Sequence, residues 1–564
     1  MFISTPKKRF IFVFFFILIF SIINVFLFFS IYLSNNINIF FAVHPFNICY
    51  KYPNGWKLIK NSYIIISFFY YLILANVLYS NLFRKNPKSS SQKNVFTLDP
   101  YFNLKIGLDS SNNNVFLPLK GLFQNILITG TIGTGKTSSA MYPFTEQLIS
   151  FKSNDDTEKI SMLILDVKGN YHSQVKKYCN EYKRNSYLIT IDLKNEIKYN
   201  PLDKPDLKPI VLANRLKTIL TLFSQNNGES FWLDKVEQIL TECIKLCRLY
   251  NDNYVTFLEI HNLITLPNYY SEKINILRNN FISGKFSKLD CYNLLSSLNF
   301  FEKEYSKLDD RTLAILKSEI TRITGPFISD IDILNTFSPN KDEITFKGFK
   351  EVLNSGKIVV LNMNISEYKN LSKIIAAYLK LDFQTEVMIN LANNENNRIS
   401  AFISDEYHEY VTSTDADFFA QSREAKCINI IATQSYTSLL NTLNNKYTVT
   451  AITQNLVNKI WYRTDDIYTI EDAQKQIGKE EKIKYSKSIS ENSKETNFNY
   501  ITHKFSSFDS NLSESINTYS QFDFIYDTNF FTQSLECFTS IAFLSTGSII
   551  LPPQKLSMIP YFKN

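Results

Sequence analysis

The residues best suited to chemistry gather in three short stretches, of which the sharpest is Gly130-Thr131-Ile132-Gly133-Thr134-Gly135-Lys136-Thr137. It fills every fixed position of G-x-x-x-x-G-K-[ST]. Phosphate chemistry asks for that order. Glycines let successive backbone N–H groups turn inward round an anion. A lysine then reaches the β- and γ-phosphates, and a threonine hydroxyl takes a place on Mg²⁺. The start of the following helix adds its positive end. The chain has 14 glycines, three of them inside residues 130–135, so chance does not account for the match. Gly130 through Thr137, with Ser138 behind them, are expected to bind ATP.

The second stretch is the apolar run Ile399–Ser404 followed by Asp405 and Glu406. A strand ending in Asp beside the phosphate loop can hold Mg²⁺, so the expected metal residues are Thr137 and Asp405. The adjacent Glu406 can polarise a water for in-line attack on the γ-phosphate. Another apolar run, Met162–Leu165, also ends in an acid, Asp166, but Val-Lys-Gly follows and no base stands next to it. The third stretch is Ser422-Arg423-Glu424-Ala425-Lys426, then Cys-Ile-Asn-Ile-Ile-Ala-Thr, then Gln434. A Gln at the end of a core strand can sense the γ-phosphate or the attacking water. Arg423, at the other end of that strand, could offer a transition-state cation only to a neighbouring subunit. The expected catalytic residues of the first two stretches are Lys136 and Glu406, while on residue type alone a solvated arginine and a turn glutamine are the plainer reading of Arg423 and Gln434. His408 and Glu409 read as a solvated helix start.

Such groups need a rigid frame, and the chain alternates the two patterns that build one. Strands are expected over Ile126–Thr129, Met162–Leu165, Tyr187–Ile191, Ile358–Met363, Ile399–Ser404, Ile428–Thr433 and Lys459–Arg463. Helical spacing follows in Lys136–Ser150, Leu371–Leu391 and Ile467–Gln476. Alternating βα units predict a largely parallel sheet covered by helices. Between about 206 and 345 the strand signal fades. Runs such as 231–250 and 311–323 carry apolar residues at helical spacing, which predicts an all-α insertion. Residues 485–520, rich in Ser and Asn, read as a long loop.

Two uncharged runs precede all this, Phe10–Leu33 with 24 residues and Tyr63–Phe83 with 21. At ~1.5 Å per residue each can cross a ~30 Å hydrocarbon layer. The first is too long for the apolar part of a signal peptide, and no A-x-A-like site follows it. Two transmembrane helices are expected, with both termini in the cytoplasm by the placement of Lys and Arg, and with a polar linker over 86–94. The net charge of +7 belongs to this region: residues 1–94 hold ten Lys and Arg and no acid. The remaining 50 basic residues face all 53 acidic ones, a balance of −3, so charge gives no sign of nucleic-acid binding. Seven scattered cysteines argue against a disulfide framework.

The order of these parts resembles the coupling proteins of type IV secretion, the TraG/TraD-like ATPases of conjugative DNA transfer. The likeness runs through two membrane helices, GTIGTGKT, LILDVKGNYH, YNPLD (199–203), the helical insertion, FISDEYHEYV, SREAKCINIIATQS and the closing LPPQKLSMIPYF. Asn170 departs from the acid common after that family's Asp-x-Lys-Gly. The resemblance implies a RecA-like P-loop NTPase domain (95–205 and 346–564), an all-α domain (206–345) and a membrane anchor (1–94). It implies an ATPase that binds ATP and Mg²⁺ through Lys136, Thr137, Asp405, Glu406, Arg423 and Gln434. It further implies a homohexamer in the bacterial inner membrane with its soluble domain in the cytoplasm. Such a ring would take a relaxase complex and single-stranded DNA to the secretion channel. A DNA pump of the FtsK type, an effector-protein coupling protein and an ATP-assembled docking receptor are the alternatives.

Overall fold

In the computed structural model the described residues are 99–563, apart from 167, 195–196, 224–229, 283, 285, 394–397, 493–496, 500–503 and 507–510. Of the first 98 residues, 18–19, 21–24, 54, 57–58 and 61–72 are described. The chain divides into two compact units, Met1–Val95 and Phe96–Asn564.

The short apolar runs of the larger unit become strands of one sheet: β1 (Asn103–Leu108), β2 (Asn114–Pro118), β3 (Ile126–Thr129), β4 (Ser161–Leu165), β5 (Leu188–Ile191), β6 (Ile358–Leu361), β7 (Ser400–Ser404), β8 (Cys427–Thr433) and β9 (Asn458–Trp461). Near the C-terminus β14 (Thr539–Phe543) and β15 (Gln554–Ser557) join them. The order is β2-β1-β15-β14-β9-β3-β8-β7-β4-β6-β5. From β9 to β5 all neighbours are parallel, and β14, β15, β1 and β2 extend that sheet in antiparallel fashion. The fold is a mixed α/β one with a large, mostly parallel sheet.

Alternation along the central strands divides the core in two. Leu127, Leu163, Leu165, Val359 and Phe402 face one cluster, while Ile126, Ile128, Ile164, Val360 and Ile403 face the other. Because side chains point alternately to opposite faces, strands buried on both sides read as continuous apolar runs. That pattern is what made them visible in sequence.

Between β5 and β6 the described residues hold helices and no strand: Pro209–Leu220, Ser230–Tyr250, Phe257–Thr265, Tyr269–Ile282, Lys288–Asn299, Asp310–Thr324, Ile331–Phe337 and Phe349–Ser355. Several of them start at side-chain caps, including Thr256, Asp309 and a reciprocal Ser287–Asp290 pair. Val236, Leu240 and Ile320 of these helices join the cluster that holds Leu163 and Phe402, so the helical segment shares a continuous apolar core with one face of the sheet. Long helix Asn370–Asn393 lies between them, its buried Asp382 paired with Lys204 at 2.9 Å and Arg215 at 3.0 Å.

The expected loop over 485–520 is corrected. Strands β10 (Lys479–Asn492) and β13 (Asn511–Phe524) form a long antiparallel ribbon, and β11 (Asn497–Asn499) and β12 (Lys504–Ser506) form a separate small antiparallel pair. In its register Glu481, Ile483, Tyr485, Lys487 and Ile489 stand opposite Phe522, Ser520, Thr518, Ile516 and Glu514. Directly opposed residues share a face, so one face carries the apolar groups and the other is mostly Ser, Lys and acid.

In the smaller unit, residues 18–19, 21–24 and 61–72 are helical. Tyr63 Oη donates to Asn24 Oδ1 at 2.6 Å, and Asn24 Nδ2 donates to Tyr71 Oη at 3.0 Å. The rest of the expected spans 10–33 and 63–83 lies outside the described residues. No helix among the described residues is long and apolar enough to cross a membrane.

Candidate nucleotide site

The phosphate loop leaves β3 at Gly130 and enters a helical segment of wide π-type pitch, Thr137–Met141, that continues as helix Tyr142–Ser150. Gly135, at φ +95°, has no room for a side chain: a Cβ there would lie 2.4 Å from the ring of Phe538. The loop is clamped from outside as well. Thr131 N–H donates to Arg463 O at 2.9 Å, Gly130 N–H to Gln434 O at 3.2 Å, and Phe538 N–H to Thr134 O at 3.1 Å. Thr134 Oγ1 and Ser138 Oγ donate to carbonyls within the loop at 2.8 and 3.3 Å, and Ile132 forms its exposed tip.

Lys136 is buried, with Nζ donating to the carbonyls of Gly130 and Thr131. Burial pushes its ammonium down, opposed by the charges of Asp405 and Glu406. Thr137 Oγ1 donates to Asp405 Oδ2 at 2.7 Å. A hydroxyl and a carboxylate oxygen in contact beside a phosphate loop suit Mg²⁺, which takes one or two protein oxygens and fills its octahedron with phosphate and water. The donor set therefore fits the metal.

The sheet explains why residues 268 positions apart meet. Strand β8 lies between β3 and β7, with Thr129 opposite Thr433 and Ser404 opposite Ile431. Gln434, the residue after β8, thus emerges between the phosphate loop and the acidic pair. Its Nε2 donates to Glu406 Oε2 at 3.1 Å. Glu406 is buried and left-handed, at φ +47°, a conformation that is uncommon outside glycine and that clusters at functional sites. Its other oxygen, Oε1, accepts from Lys168 Nζ.

The two acids sit in opposite surroundings. Burial, helped by the nearby charge of Asp166, pushes Asp405 up to about 6. Burial also acts to raise Glu406, but the Lys168 ammonium outweighs it and holds that carboxyl below its ordinary value. His408 is pushed down by burial and has Glu406 Oε2 at 3.6 Å and Thr433 Oγ1 at 3.3 Å, so it belongs to the site wall and not to a solvated helix start.

Arg423 is placed elsewhere. It lies exposed in the turn before β8, and the seven residues of that strand, at ~3.3 Å each, separate it from Gln434. Asp166, the competing acid, is spent on structure: it accepts the backbone N–H groups of Lys168, Asn170 and Tyr171 at 2.9, 3.3 and 3.2 Å.

No family model and no curated protein matches the chain. Solved structures do. The bacterial conjugative coupling protein TrwBdeltaN70, in an unbound form, superposes with a TM-score of 0.54 over 81% of this chain and 88% of its own, at 12% identity. The fold is that of TrwB. TrwB has also been solved with the non-hydrolysable ATP analogue ADPNP (TM-score 0.53) and with ADP and Mg²⁺ (0.54), each at 12% identity and over 81% of this chain and 89% of its own.

Sequence reading missed the clamp on the loop. Phe538 is one of 47 phenylalanines and carries no motif. Tyr462, whose Oη lies 2.9 Å from Ser139 Oγ, is equally anonymous. Lys168 was visible only as part of a stretch resembling a family segment.

Proposed function

We propose that the chain is a membrane-anchored ATPase that couples ATP hydrolysis to passage of single-stranded DNA, with its relaxase, into a type IV secretion channel. The observation that carries the reading is the contact of Thr137 with Asp405, with Glu406 beside it, on a TrwB-like fold. In this reading Gly130–Ser138 bind ATP. Lys136 leaves its loop carbonyls for the β- and γ-phosphates, and Thr137 with Asp405 orient Mg²⁺. Bound there, Mg²⁺ neutralises charge on the phosphate oxygens. Glu406 polarises the attacking water, and Gln434 holds Glu406 in register.

The neighbour's name supports conjugation, and its complexes support ATP, ADP and Mg²⁺ as ligands. The apolar spans 10–33 and 63–83 support the anchor, and the bonds between Asn24, Tyr63 and Tyr71 suit two helices packed side by side in lipid, where polar groups seek each other. Arg423 acts on the next subunit of a homohexameric ring, and the helices over 206–345 face the relaxase complex. The test is transfer by Lys136→Ala. Conjugation should be abolished with membrane insertion intact; transfer at the normal frequency would remove the motor from the account.

A further inference from the structure

Lys168 and Gly169 have no part in the proposed reaction, yet the Lys168 side chain reaches the centre of the site. Their backbone is held in place. Asp166 accepts three backbone N–H groups, and Gly169, at φ +80°, packs against Asn364, whose Cβ would lie 3.1 Å from a side chain placed there. Leu165 and Ser404 are opposed in the sheet, so Asp166 and Asp405 follow adjacent strands at the same level. The Lys168 side chain crosses that gap to Glu406 Oε1.

The consequence concerns the base. With Lys168 on Oε1 and Gln434 on Oε2, both oxygens of Glu406 are taken, one of them by a full positive charge. A carboxylate so engaged is a poor acceptor for a proton from water. Lys136, too, rests on local carbonyls. The site therefore holds two ammonium groups on internal partners, and a γ-phosphate is the anion that could draw both away. Lys168 is free to move: its side chain is 53% exposed, on a flexible four-carbon stem. Burial works against its charge, but Glu406, Asp405 and Asp166 keep it protonated.

We propose that Lys168 is a γ-phosphate-sensing residue: it holds Glu406 when the site is empty or carries ADP, and passes to the γ-phosphate when ATP binds. Glu406 Oε1 is thereby released to the attacking water only when there is a phosphate to attack. This inference rests on the ATPase reading above.

The experiment compares the full chain in detergent with its Lys168→Met and Lys168→Arg variants. Affinities are measured for Mg²⁺-ADP and for Mg²⁺ with a non-hydrolysable ATP analogue. Loss of a charged contact to the γ-phosphate should weaken the analogue by about tenfold or more in Lys168→Met, leaving ADP within about twofold. Lys168→Arg should keep most of the preference. An unchanged ratio of the two affinities in Lys168→Met, or equal loss of both ligands, overturns the sensing role. A parallel Lys136→Ala chain separates the causes: if it binds both ligands as wild type does, the phosphate loop itself was misassigned.

Discussion

Asp405 and Glu406 are neighbours in sequence, and their environments differ in the way the proposed division of tasks requires. Asp405 is buried near Asp166 and takes up a proton at about pH 6, against an ordinary 3.8. Between those values the folded chain binds more protons than the unfolded one. Asp405's contribution to stability is therefore present below about pH 4 and is lost as pH rises through 6 in the nucleotide-free protein. Magnesium reverses the preference, since it needs the ionised carboxylate. Mg²⁺-dependent ADP binding should accordingly weaken as pH falls from 7 through 6, and a titration series over pH 5 to 8 reads it directly. Affinity flat across that range would mean Asp405 does not ligate the metal. Glu406, held ionised by Lys168, needs no such adjustment.

At the scale of elements, what was legible followed from burial. The helix Asn370–Asn393 and strands β3, β4 and β8 fall within a residue or two of their sequence-based limits, because both faces of the strands are apolar and long helices show their period. The phosphate loop and acidic pair were legible for another reason: phosphate and Mg²⁺ chemistry restricts residue type. The ribbon was not. Its apolar residues, such as Ile483, Tyr485 and Ile489, alternate with Lys and Ser at period two, and these three are 62–72% exposed. Low hydrophobicity in a Ser-rich stretch hid that alternation. Neither strand pairs with the main sheet, so the ribbon contributes little to the core. Joining Glu481 to Phe522 through an Asn-Gly turn should leave the thermal midpoint within about 4 °C of wild type. A larger fall by calorimetry would show that the ribbon supports the sheet.

At the scale of the whole molecule, Arg423 is exposed at the end of β8 remote from its own phosphate loop, and the proposed function gives it a role on a neighbouring subunit. Arginine fingers supplied between subunits contribute roughly 10³–10⁵ in rate in nucleotide hydrolases. Mixing Arg423→Ala with Lys136→Ala chains, each inactive alone, should restore some hydrolysis, because a mixed ring pairs an intact Lys136 with an intact Arg423. Full activity of Arg423→Ala by itself would rule the finger out. The claim on which all of this depends is that the chain hydrolyses ATP with Glu406 as the group that polarises water. The most direct measurement is Mg²⁺-dependent ATP turnover by Glu406→Gln beside wild type, with single-stranded DNA present and nucleotide affinity measured on the same samples. The account predicts DNA-stimulated turnover in wild type. In the variant it predicts unchanged affinity and a rate lower by about 10²–10⁴. Turnover equal to wild type, or binding lost in step with turnover, would contradict it.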